Sequence, residues 1–281
     1  MAEPAKPIGR AVLGIDAAWT KTEPSGVSLA VEAEGGWRLV AVEASYEHFL
    51  ARGRGAAPGD GRPKGSHPDA GALIGASRLL CRRAPECVAI DMPVGPNPIV
   101  GRRFCDDEIS RRYGARKASV HSPSAARPGP ISDTLRAGFE ALGLPVRVAP
   151  PANGLIEVYP HAALIEFMHE AERLPYKAAK TLTYWPDLPI AERHRKLRAV
   201  WSRIVEALDR RIAGAGAALP VPAPDVRGWP LKAFEDKLDA VVCAAVAITA
   251  LNGQALPHGD AEGAIWVPAG ALTAEDELRS R

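Results

Sequence analysis

Two stretches, "AVLGIDAAW" (residues 11–19) and "VAIDMPVG" (residues 88–95), end an apolar run on an aspartate, Asp16 and Asp91. Val88, Ala89 and Ile90 read as a strand buried on both faces, and Pro93 and Gly95 end it. Such a strand has no structural need of a terminal carboxylate. In open α/β sheets ligands bind at the C-terminal edge of the strands, so the two aspartates converge if their strands are neighbours. Two buried carboxylates without counter-charge repel, and one takes up a proton or a cation sits between them. Hard oxygen ligands suit Mg²⁺ or Mn²⁺. The plainer alternative is that each aspartate caps the turn or helix that follows.

Further acids lie downstream. Glu157 sits inside "LIEVYP" between Ile156 and Val158, and a buried glutamate needs a partner. It is either a fourth acid of the site or a structural anion paired with an arginine such as Arg102 or Arg112. In "FEDKLDAVVCAAVAITA", Leu231, Phe234, Leu238, Val241 and Ala245 form the core stripe of a helix. Glu235 and Asp239 lie four apart on a neighbouring face, with Asp236 three before Asp239. An acidic first turn explains Glu235 through the helix dipole. It explains Asp239 less well, because a fully apolar stretch follows at once.

The most basic stretch of its length follows the second aspartate: Arg102, Arg103, Arg111, Arg112, Arg116, Lys117 and Arg127. Arginine forks suit phosphate oxygens. Arg102, Arg111, Arg116 and Lys117, together with Lys177 of "PYKAAK", are the candidate substrate-binding residues. Arg116 and Lys117 are expected to face the site from a loop at 114–130. A solvated helix face beside a polar loop is the competing account. His161 reads as a structural partner, and Tyr159 and Trp19 as core residues or as surfaces on which a base could stack.

The elements that position these residues follow from patterning. Strands are expected at about 10–17, 26–33, 37–43, 87–91 and 155–160, with a short last strand "AIWV". Turn chemistry at "PSG" and "GG" makes the first three a meander. Helices are expected at about 69–83, 102–113, 131–143, from His161, 189–213 and 231–251. Residues 51–68, rich in Gly, Pro and charge, read as a surface loop inserted in one domain. A helical insertion is expected near 161–228, all within a single domain over 1–281. With 281 residues, 47% hydrophobic, the chain can bury a sizeable core. A net charge of +2 provides no overall field toward nucleic acid or membrane. The four cysteines have no zinc or C-x-x-C spacing, which fits reduced thiols. "MAEPAKPIGR" lacks the apolar run of a signal peptide, and no 18-residue apolar span is present. A soluble cytoplasmic protein with no membrane partner is expected.

Taken together, "GIDAAW" with "PSGV", "AIDMPVG" with "GRRFCDDEISRRYG", "IEVYPHAAL", "PYKAAK" and "EDKLDAVVCAAVA" are recognisable. Over roughly residues 11–250 the chain resembles the predicted RNase H-like nucleases grouped as domain-of-unknown-function family 429. The resemblance implies an RNase H-like α/β fold: a mixed five-stranded sheet in order 3-2-1-4-5, flanked by helices. It also implies two divalent ions held by acids from strand one, strand four and the last helix. These map to Asp16, Asp91 and Asp239 or Asp236. One departure is visible: "PDAGALIGASRLL" lacks the acid that such nucleases carry on the first helix, a role Glu157 could fill.

The expected function is a Mg²⁺- or Mn²⁺-dependent nuclease cleaving phosphodiesters of a nucleic acid or nucleotide, with Asp16, Asp91, Glu157, Asp236 and Asp239 as the catalytic acids. A non-catalytic nucleic-acid or nucleotide binding protein on the same fold is the alternative. An actin-like phosphotransferase shares the sheet core, but it needs glycine-rich phosphate loops, and "DAAWTKTEPSG" has a single glycine.

Overall fold

The computed structural model describes residues 9–270. Its elements, in chain order, are β1 (Ala11–Asp16), β2 (Gly26–Ala33), β3 (Gly36–Glu43), α1 (Tyr46–Gly53), α2 (Ala70–Cys81), β4 (Cys87–Ile90), α3 (Phe104–Tyr113), α4 (Pro130–Ala141), β5 (Gly154–Val158) and α5 (Pro160–Met168). They continue with α6 (Thr181–Tyr184), α7 (Ile190–Asp209), β6 (Ile212–Ala213), α8 (Ala215–Ala218), α9 (Trp229–Leu251), β7 (Ala255–Asp260) and β8 (Gly263–Pro268). One mixed sheet runs β6-β3-β2-β1-β4-β5-β8-β7. β1 is interior, antiparallel to β2 and parallel to β4, and β5 lies parallel outside β4.

The sheet therefore has eight strands, not five. β8 adds parallel to β5, β7 closes that side as an antiparallel hairpin partner of β8, and β6 pairs with β3. "ALPHGD" did not read as a strand because a proline and polar residues interrupt it. An edge strand tolerates both. Residues 46–53, partly taken for loop, are α1. The Ser45 side chain accepts from the His48 amide at its start, and Tyr46 and Phe49 anchor it in the core.

The central strands are apolar without alternation because helices cover both faces. Val12, Cys87, Ala89, Ile156 and Val158 pack with α5, α7 and α9 on one face. Leu13, Ile15, Val88, Ile90 and Leu155 pack with α1, α2 and α4 on the other. Leu197, Val200, Ile204 and Leu208 of α7 are buried at the anticipated spacing. A Cβ at Gly14 would overlap the Ala240 carbonyl, and one at Gly26 the Asp236 carbonyl, so both glycines let α9 sit directly on β1 and β2. Ser28 Oγ donates to the Ala240 carbonyl at 2.7 Å within this contact. Among the described residues no helix is long and apolar enough to cross a membrane.

Candidate functional site

Ile15 pairs with Ile90 in the parallel β1–β4 ladder, so the next residues, Asp16 and Asp91, leave the sheet side by side. Side chains alternate along a strand. Asp16 therefore shares the face of Gly14, and Asp91 that of Ala89, which is the face covered by α9. The close approach at Gly14 and Gly26 brings Asp236 and Asp239 to the same place. Both are buried within α9, as is Glu235.

The cluster is charged unevenly. Asp239 is fully engaged: the Tyr176 hydroxyl donates to Oδ1 at 2.8 Å and Lys177 Nζ to Oδ2. Glu235 accepts from the Ala178 amide at 2.6 Å, with Lys177 and Lys232 each 3.6 Å away. Lys232 pairs with Asp236 Oδ1, while Asp236 Oδ2 is buried without a hydrogen-bond partner. Asp16 and Asp91 form no ion pair among the described residues. Five carboxylates thus meet two lysines, and burial together with the excess negative charge makes three of them weaker acids. Burial, then repulsion from Asp239 and Asp236, pushes Asp16 well above the ordinary carboxylate range. Burial is also the main cause for Asp91, raised to about 7. Asp236 is raised to about 6 by burial, against the pull of Lys232. Burial works against the charge on Lys177, but Asp239, Tyr176, Glu235 and Asp16 outweigh it and hold the ammonium charged.

A cleft of about 700 Å³ opens over this cluster. Asp16, Asp91, Glu235, Asp236, Lys177 and Lys232 line one part, and His121, His161, Arg173 and Lys180 also border it. Arg127 and Trp19 lie in its wall, the guanidinium 6.0 Å from the ring centre.

Glu157 also borders the cleft and adds to the repulsion on Asp91, but its carboxylate is bound to an arginine. The residue pairs in register with Ile90 and shares the face of Leu155, so alternation aims it away from the face of Asp16 and Asp91. Arg103 holds both its oxygens at 2.7 Å, and the Val94 amide donates to Oε2 at 2.8 Å. Asp106 grips the same guanidinium at 2.7 Å. The partner is an arginine, though neither Arg102 nor Arg112.

The basic stretch needs correction as well. Of the five substrate-binding candidates, the cleft is lined by Lys177 alone. Arg102 is spent on Asp107, Ser110 and Ser122. Arg116 binds Glu166, and Lys117 binds Glu172. Arg111 points into solvent on α3. The loop at 114–130 does border the cleft, through Val120, His121, Ser122 and Arg127. The contributors that sequence reasoning missed are Lys232, Tyr176, Arg173 and Lys180. Lys232 carried a signal, standing four residues before Asp236 on the same helix face. Lys180 lies in "PYKAAK" itself.

As arranged, no group of three or more His, Cys, Asp or Glu among the described residues could hold a metal ion. Lys177 and Tyr176 occupy both oxygens of Asp239, which takes it out of the expected set with Asp16 and Asp91. Asp16 and Asp91, without ion pairs among the described residues, and the orphaned oxygen of Asp236 leave an excess of negative charge that a cation would offset, although the three carboxylates as arranged do not form a ready ligand set.

The model of a family described as a protein of unknown function (DUF429) matches residues 14–262, most of the chain, and the chain belongs to that family. No curated protein and no solved structure matches it significantly.

Proposed function

We propose that this member of the DUF429 family is a divalent-metal-dependent phosphodiester hydrolase, a nuclease-type enzyme on an RNase H-like core. One observation carries the reading: two aspartates leave adjacent parallel strands side by side, facing further buried acids on the closest-packed helix. The run β3-β2-β1-β4-β5 inside the larger sheet supports the RNase H-like assignment. When bound, Mg²⁺ or Mn²⁺ would activate water and stabilise the leaving oxygen.

The chain's own residues have separate tasks. Asp16 and Asp91 would hold the cation, and the unpartnered Asp236 Oδ2 would need a side-chain shift to join them. Lys177 and Tyr176 hold the Asp239 carboxylate in place. Trp201 Nε1 donates to the Tyr176 carbonyl at 2.8 Å and so holds that segment against α7. Arg127, Arg173 and Lys180 have no carboxylate partner among the described residues, which leaves them available to a polyanionic substrate. Trp19, beside Arg127, offers a face on which a base can stack.

The test is Mn²⁺ titration by calorimetry near pH 6, followed by cleavage of a small DNA and RNA panel. Binding should release protons, because the raised pKa values of Asp91 and Asp16 must fall when a cation arrives. Asp16→Asn and Asp91→Asn should each remove both binding and cleavage. Wild-type protein that binds no Mn²⁺ at millimolar concentration would sink the reading. A second reading, a nucleotide or nucleic-acid binding protein without catalysis, is favoured by one feature: Lys177 already occupies the helix acid. Metal-independent binding of the same panel without cleavage would select it.

A further inference from the structure

The cleft is bipolar. Beside the carboxylates, its wall carries Arg173, Lys180, His121 and His161. These four lie close enough to act on one another: Arg173, Lys180 and His121, along with Lys177, each repel a proton from the His161 ring. Lys177 is committed to Asp239 and Glu235. Arg173 and Lys180 have no carboxylate within ion-pair distance among the described residues, and the Arg173 Nε is buried with no hydrogen-bond partner. His161 is 7% exposed, and its Nδ1 likewise has no partner. Its ring is set between Tyr159 and Tyr176, with centroids 5.4 Å and 5.0 Å away. Buried polar atoms are nearly always satisfied, so two orphaned nitrogens on one wall of a cleft point to a missing acceptor.

We infer that Arg173, Lys180, His161 and His121 form a subsite for a phosphate monoester. The choice of anion follows from charge and geometry. Two free cations match the charge of roughly −1.5 to −2 on a monoester phosphate better than the single charge of a carboxylate or an internal phosphodiester. An arginine fork binds two phosphate oxygens at once. A neutral imidazole adds one N–H donor to a further oxygen. The backbone around Arg173 is held for this: its amide donates to the Arg116 carbonyl at 2.9 Å, and Arg116 is itself tied to Glu166 and to the Glu170 carbonyl. The substrate class is therefore a nucleotide, or a nucleic acid end, that bears a terminal phosphate. The inference rests on the nuclease reading only for what the phosphate is attached to.

The probe is inorganic phosphate, titrated in chelator without divalent ions, so that the carboxylate chemistry plays no part. Wild-type protein should bind it and show a rising thermal midpoint with phosphate concentration. Lys180→Ala, at an exposed side chain, should fold normally and weaken binding about tenfold or more, as should Arg173→Ala. Asp91→Asn should leave phosphate binding in place. No binding of phosphate, or unchanged binding in both Lys180→Ala and Arg173→Ala, overturns the subsite. Comparison of a short oligonucleotide with and without a 5′-phosphate, and of a nucleoside monophosphate, then locates the source. A gain of about tenfold from the end phosphate supports a polymer end. Equal binding of the mononucleotide supports a small substrate. Cleavage failing while phosphate binding persists would refute the nuclease reading and leave the subsite standing.

Discussion

Glu157→Gln separates an anchoring carboxylate from a reacting one. In the folded protein its two oxygens accept two guanidinium bonds at 2.7 Å and one backbone bond at 2.8 Å. The Glu157 and Arg103 side chains are 5% and 8% exposed, so water cannot replace what is lost. The glutamine oxygen can keep one arm of Arg103 or the Val94 amide. Its amide nitrogen then faces a guanidinium N–H, donor against donor. Leaving a buried charged donor unsatisfied costs about 1–3 kcal/mol, and exchanging a charge-assisted bond for a neutral one costs about 1 more. Asp106 still neutralises Arg103, which keeps the total below the roughly 3–5 kcal/mol of a fully stranded buried charge. The expected loss is about 3 kcal/mol, or about 6–12 °C in thermal midpoint for a domain of this size. Circular dichroism melts in chelator at pH 7.5 measure it. Arg103→Met strands two carboxylates together and should cost more than Glu157→Gln; Asp91→Asn should cost least. A Glu157→Gln protein within about 0.5 kcal/mol of wild type, the range of an ordinary surface substitution, would refute the ion-pair account.

Other expectations follow from the same geometry. Asp91 is raised to about 7 from an unfolded value near the ordinary carboxylate range, so between those values the folded state binds the extra proton. Stability should then fall as pH rises from about 4 to 7 and level off above, with Asp91→Asn removing part of that slope in chelator melts. An unchanged slope would mean Asp91 is ionised throughout. Gly14→Ala places a methyl group against the α9 backbone at Ala240 and Ala244 and should cost about 1–3 kcal/mol in urea unfolding. Because it shifts the helix that carries Asp236 and Asp239, it should also weaken Mn²⁺ binding. Retention of full stability would show that α9 is less tightly seated on β1.

The carboxylates on β1 and β4 were legible because a strand buried on both faces gives no cheap place to a charge, so its terminal acid stands out. The acids of α9 were legible because they interrupt an apolar helix. Glu157 was left open between a site acid and an arginine-paired anion for want of one fact that local sequence does not contain, the register of β5 against β4. Pairing Glu157 with Ile90 rather than with Asp91 sends it to the opposite face. The dense basic stretch misled for a similar reason. Charge density is local, whereas the partners that neutralise Arg116 and Lys117 lie some fifty residues away, at Glu166 and Glu172. Residues sparse in their neighbourhood, such as Arg173 and Lys180, were left free for the cleft. The edge strands β6 and β7 have weak patterns of their own and form only because β3 and β8 offer them unpaired backbone.

The two halves of the cleft are joined by one short stretch of chain. Tyr176, Lys177 and Ala178 bind the acids of α9, and Arg173 and Lys180 flank them on the basic side. Neither half is neutral by itself: the carboxylates exceed their lysines, and the remaining cations exceed their anions. A cation alone would leave Arg173 and Lys180 repelling each other; burial and then Arg173 already lower the pKa of Lys180. A phosphate alone would leave Asp16 and Asp91 to share a proton. A ligand carrying both, a phosphate group accompanied by a divalent ion, satisfies the two excesses at once. Such coupling would separate a site for metal-assisted phosphate chemistry from a buried salt-bridge network, whose charges balance without a ligand. It predicts mutual dependence: Mn²⁺ and phosphate should each tighten the binding of the other by the same factor, and Lys180→Ala should abolish that coupling while leaving Mn²⁺ binding alone. Equal Mn²⁺ affinity with and without saturating phosphate would show that the two halves work independently.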